Sequence, residues 1–103
     1  MSYRRSKKDA NQNEIVAELE SLGCTVIDMS AINKQGVPDI CVGVGTRNYL
    51  IEIIGPDKEK RFPPDGLSEG QVEWHKKWNG SVHKARTVQE ALDVMGIGHR
   101  GQG

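Results

Sequence analysis

Apolar residues fall in short, well-punctuated runs along this chain. Ile15, Leu19 and Leu22 recur at i, i+4 and i+7 with Val16 beside them, which predicts a helix over residues 10–22 closed by Gly23. Residues 24–29 alternate enough for a strand, 31–38 read as a loop, and ICVGV at 40–44 is a short apolar strand. After a turn at 45–47, NYLIEII at 48–54 reads as the most deeply buried strand. Residues 55–67, with three prolines, read as a long loop. Ser68 and Gln71 then form an S-x-x-Q capping box that opens a second helix carrying Val72, Trp74 and Trp78, and Gly80 ends it. Both tryptophans are expected to pack against the sheet. A last strand at 81–85 leads through a second box, Thr87 to Glu90, into a helix with Val88, Leu92 and Met95 on one face.

The predicted order is αβββαβα. The run from 48 through the second helix to 81 is a βαβ crossover, so the last strand should lie parallel to the central one. One α/β domain at 9–95 with a mixed four-stranded sheet is expected, between a basic arm at 1–8 and a glycine-rich tail at 96–103. Fourteen basic residues balance fourteen acidic ones in the 103, so any polyanion must be met by locally clustered charge. No run of 18 apolar residues occurs and no apolar segment follows the N-terminal charges, so neither a membrane span nor a secretion signal is expected. Cys24 and Cys41 have no CxxC partner and the three histidines no ligand spacing, which argues for small buried hydrophobes in a reducing, cytoplasmic compartment.

Two acids break the pattern. Glu52 sits mid-strand between Leu50, Ile51, Ile53 and Ile54, where an unpartnered carboxylate costs several kcal/mol or takes up a proton. Asp39 follows Pro38 at the mouth of the preceding strand. If the two strands form a hairpin, Asp39 and Glu52 become neighbours, and a hard divalent cation turns their repulsion into a binding site.

The order Gly36-Val37-Pro38-Asp39, a hairpin, then Ile51-Glu52-Ile53 resembles the signature of the PD-(D/E)xK nucleases. Leu67-Ser68-x-x-Gln71-x-x-Trp74 and the closing Val82, Ala85, Thr87, Glu90-Ala91-Leu92 stretch resemble the VRR-NUC branch, in its small stand-alone phage and prophage form. The likeness spans roughly residues 9–95. It implies a restriction-endonuclease-like fold and Mg²⁺- or Mn²⁺-dependent hydrolysis of DNA phosphodiesters, selective for branched or four-way junction DNA, in a bacterial or phage-infected cell. Asp39 and Glu52 match the motif acids, and Glu14 best matches the glutamate such proteins carry on their first helix, with Glu18 as competitor. These three would be the metal ligands. Gln71 matches a glutamine near the site, although its capping box explains it equally well. Size and family together suggest a homodimer.

The departure from the motif is Ile54, which stands where the family lysine would project beside Glu52. Loss of such a group typically lowers the rate about 100- to 1000-fold. An introduced substitution, natural decay to a DNA-binding module, or a lysine supplied by Lys58 or Lys60 would each account for it; as written, the chain is expected to cleave poorly. Arg4 and Arg5 on the arm and Lys58, Lys60 and Arg61 beside the site are the candidate phosphate contacts, which would make binding salt-dependent and indifferent to sequence. Competing with the nuclease are a non-catalytic DNA-binding module derived from one and a small interaction protein whose acids are structural.

Overall fold

The computed structural model describes residues 10–97. The basic arm with Arg4 and Arg5, and the tail beyond residue 97, lie outside the described residues. The elements are α1 (Ala10–Ser21), β1 (Thr25–Asp28), β2 (Ile40–Val44), β3 (Arg47–Ile53), α2 (Pro56–Arg61), α3 (Glu69–Lys77), β4 (Val82–Ala85) and α4 (Val88–Val94). The sheet runs β1-β2-β3-β4, antiparallel across its first two pairings and parallel between β3 and β4. This is the mixed four-stranded α/β sheet flanked by helices that the hydrophobic pattern predicts.

β3 separates two environments by simple alternation. Ile51 and Ile53 point to one face, where they join Ile40, Val42 and Ala85 from the sheet, Ile15 and Leu19 from α1, and Ala91 and Leu92 from α4. Leu50 and Glu52 point to the other, where α3 lies. Leu19, Ile40, Val42, Ile51 and Ile53 are fully inaccessible, so the first face is a dry core. Fully burying each such side chain contributes about 1.5–3 kcal/mol. Leu22 departs from the predicted stripe: it falls one residue past α1 and is 51% exposed, because Cys24 N–H turns back to the Leu19 carbonyl at 3.0 Å.

The largest correction is α2. Residues 55–67 read as a loop on account of their prolines, yet Pro56 occupies the opening position of a helix, where a missing N–H costs nothing. Asp57 and Glu59 in its first turn favour the same outcome through the helix dipole. The tryptophans also differ from expectation. Trp74 is half-buried, Trp78 is exposed, and they stack on each other with ring centroids 4.8 Å apart and planes 15° apart.

Candidate active site

The β2–β3 register pairs Ile40 with Ile51. One step further along both strands, Asp39 stands directly across from Glu52. Asp39 is fixed by its backbone and its side chain together: its carbonyl accepts from Met29 N–H at 2.8 Å, and its Oδ2 accepts from Ile53 N–H at 2.7 Å. The carboxylate therefore caps the end of the β3 ladder and is turned toward Glu52.

Lys58 enters between the two acids from α2. Its Nζ donates to Glu52 Oε2 at 2.8 Å, to Asp39 Oδ2 at 3.1 Å and to the Ile53 carbonyl at 2.7 Å. An ammonium has three donors, and here all three meet oxygen. Six residues separate Glu52 from Lys58, and the first turn of α2 folds that distance back on itself. Lys58 is thus held inside the site; of the two roles the sequence offers it, phosphate contact and stand-in for the missing lysine, its position fits the second. Its neighbours Lys60 and Arg61 do remain exposed, with Arg61 paired to Asp57 at 3.1 Å and its guanidinium 5.3 Å from the Phe62 ring centre.

Gln71 approaches from α3 and does two things at once. Its Oε1 accepts from Ser68 N–H at 2.9 Å, completing the capping box, and its Nε2 donates to Glu52 Oε2 at 2.6 Å. The box uses the amide oxygen and so leaves the NH₂ end aimed at the carboxylate. Capping and site roles, which the sequence leaves as alternatives, are both made by one side chain. The second expected box closes only halfway: Glu90 N–H donates to Thr87 Oγ1 at 3.1 Å, but the Glu90 carboxylate accepts from Arg86 N–H instead.

Glu52 is wholly inaccessible, and its Oε1 has no hydrogen-bond partner among the described residues. Burial and the Asp39 charge raise its pKa from 4.5 to about 7, against the opposing pull of the Lys58 ammonium. Near neutrality the carboxylate is poised between its two forms. Burial alone would lower the Lys58 pKa, but the Glu52 and Asp39 charges outweigh it and the ammonium is held above its ordinary range. His75, one of the three histidines without ligand spacing, lies one turn beyond Gln71 on α3. Its Nε2 is buried with no partner among the described residues, and burial and the charge of Lys84 lower its pKa.

Asp39 Oδ2, Glu52 Oε2 and the Ile53 carbonyl surround one point with hard oxygen donors, and a cation already sits there. With the unused Glu52 Oε1 beside them, these groups fit a hard divalent ion in chemistry. Glu14 is not brought to them: it is exposed on α1, and among the described residues no three His, Cys, Asp or Glu side chains cluster as metal ligands.

Ile54 is 1% exposed, and the backbone of Gly66 closes over it. Gly66 has φ +80°, and a Cβ there would lie 2.6 Å from Ile54 Cγ2. Position 54 is thus an apolar contact under the α2–α3 connection. Comparison with models of known protein families, with curated proteins and with solved structures finds no match.

Proposed function

We propose that this chain is a divalent-metal-dependent endonuclease with a restriction-endonuclease-like fold of the VRR-NUC type, acting on branched DNA. The observation that carries the reading is the opposition of Asp39 and Glu52 across β2 and β3, with the Lys58 ammonium and the Gln71 amide converging on the same Glu52 oxygen. Two acids, a lysine and a glutamine are the groups that the sequence motif calls for. Three come from the expected positions, the lysine comes from a helix four residues further on, and the expected third acid, Glu14, stays outside the group.

Asp39, Glu52 and the Ile53 carbonyl would hold Mg²⁺ or Mn²⁺, which supplies Lewis-acid charge at a phosphate oxygen and a more acidic bound water. Lys58, freed from bridging the acids, presents a positive charge where negative charge grows on the phosphoryl oxygens as water attacks phosphorus and the P–O bond breaks. Gln71 keeps Glu52 in one rotamer. Exposed Lys60 and Arg61 lie beside the site, where they would meet flanking phosphates. On this reading Ile54 is no lesion, because Lys58 fills the lysine role and the chain is competent as written. A two-fold dimer carrying two such sites would suit a four-way junction.

The test incubates the wild type, Asp39→Asn and Ile54→Lys with labelled four-way junction and linear duplex in Mg²⁺ or Mn²⁺. Cleavage by the wild type, lost in Asp39→Asn and not increased in Ile54→Lys, is the expected result. Cleavage only by Ile54→Lys would return the lysine role to the strand and make Lys58 a structural ion pair. Binding without cleavage by any of the three would leave a DNA-binding module.

A further inference from the structure

The sheet face that carries Glu52 is only partly covered by α3. Along β2 and β3, Cys41 and Leu50 lie two residues from Asp39 and Glu52, on the same face and paired with each other across the strands. That separation is about 7 Å. They floor a groove of about 520 Å³ whose apolar walls include Met29, Val37 and the stacked Trp74 and Trp78. Lys34, Asn48 and Ser81 supply its polar groups. Trp78, Ile32 and Ile27 are the large apolar side chains left exposed on this side, and β1 forms the sheet's open edge beyond them.

We infer that this groove receives an unpaired nucleobase next to the scissile phosphate, stacked against the Trp74–Trp78 pair. The inference rests on the nuclease reading and deepens it by naming what the enzyme recognises. Three observations favour a base. The groove floor, Cys41 and Leu50, lies one same-face step along β2 and β3 from Asp39 and Glu52, so a strand whose phosphate lies at Asp39 reaches it within one nucleotide. Its walls are aromatic and apolar, which suits the face of any base and reads no sequence. Its polar groups are one cation and two hydrogen-bonding side chains, which complement a phosphate and a base edge. A base in a continuous duplex is stacked on its neighbours and must be extruded at a cost, whereas one at a junction or a frayed end is already available. Selectivity for branched DNA then follows from the shape of one groove.

The chain contains two tryptophans, both in this groove, so its tryptophan emission reports on the site alone. The experiment titrates the full chain, without divalent metal, with a ten-residue single-stranded oligothymidylate and with a blunt duplex of equal length. Quenching by the single strand at about tenfold lower concentration than by the duplex is expected. Trp78→Ala, at an exposed position, should weaken single-strand binding, read by anisotropy of a labelled oligonucleotide, by about tenfold. Asp39→Asn should leave the quenching in place while abolishing cleavage, so failure of the groove and failure of the nuclease reading give different results. Equal quenching by both nucleic acids, no quenching, or unchanged binding by Trp78→Ala would overturn the inference. So would emission that shifts with protein concentration alone, since that assigns the groove to a second copy of this chain.

Discussion

The two faces of β3 are made by alternate residues of one strand and obey opposite rules. Ile51 and Ile53 face a buried cluster of apolar side chains from the sheet, α1 and α4. Glu52, between them, faces an ion-paired cluster in which one carboxylate oxygen still lacks a partner. The first face is stabilised by contacts that are indifferent to pH. The second stays folded because two side chains from two helices, Lys58 and Gln71, offset a buried charge that Asp39 opposes, and the same arrangement leaves an acid poised near neutrality.

Removing the ammonium should break this comparison most severely. Lys58→Met leaves Glu52 buried without its cation, and at pH 8 it is expected to lose about 3–5 kcal/mol of stability, measured by urea unfolding. Cleavage should fall about 100- to 1000-fold. The pH dependence has a definite sign. Because the folded Glu52 holds its proton up to about pH 7 and the unfolded one only to about 4.5, the wild type loses stability as pH rises through that window. The total is on the order of 3 kcal/mol. In Lys58→Met the decline should keep the same one-proton slope but extend above pH 7, so the two curves run parallel below about pH 7 and diverge above it. Curves that stay parallel above pH 7 as well would mean that Glu52 does not feel Lys58.

A core truncation sharpens the contrast from the other side. Leu19→Ala should cost about 3 kcal/mol through the cavity it leaves, equally at pH 5 and pH 8, with no change in divalent-ion binding by calorimetry. The smallest effect is expected for Gln71→Ala, about 1–2 kcal/mol, the sum of a weakened helix start and one charge-assisted hydrogen bond. Its signature is a Glu52 pKa moved further upward, visible by carboxylate NMR, because a donor to the charged form is lost.

The dry face was legible because periodicity reports burial directly: Ile15 and Leu19, Ile51 and Ile53, and Leu92 all lie where their spacing puts them. So was the Asp39–Glu52 pair, since a hairpin admits one register that keeps both apolar sets inward. What escaped was set by local backbone chemistry or by tertiary reach. α2 was hidden by prolines that signal loops in general, although at a first helical position proline favours the helix. With α2 missed, the sequence offered Lys58 and Lys60 alike as stand-ins for the missing lysine and could not say which of them turns inward. Glu14 and Glu18 share a helix face pattern that cannot say which end of the sheet the helix passes. Trp78 looked like core by its spacing from Trp74, but α3 ends at Lys77 and the second ring packs on the first.

The Ser68–Gln71 box carries one more consequence. As a helix start, its fourth letter is a free choice, for glutamate and glutamine serve equally well there. Next to Glu52 the two letters are no longer synonyms: glutamine offers a hydrogen to the buried acid, and glutamate would set another negative oxygen against it. The same four-residue phrase thus carries two messages, a redundant one about where α3 begins and an unambiguous one about what stands opposite it. A glutamine in that place fits the acid that stands opposite it.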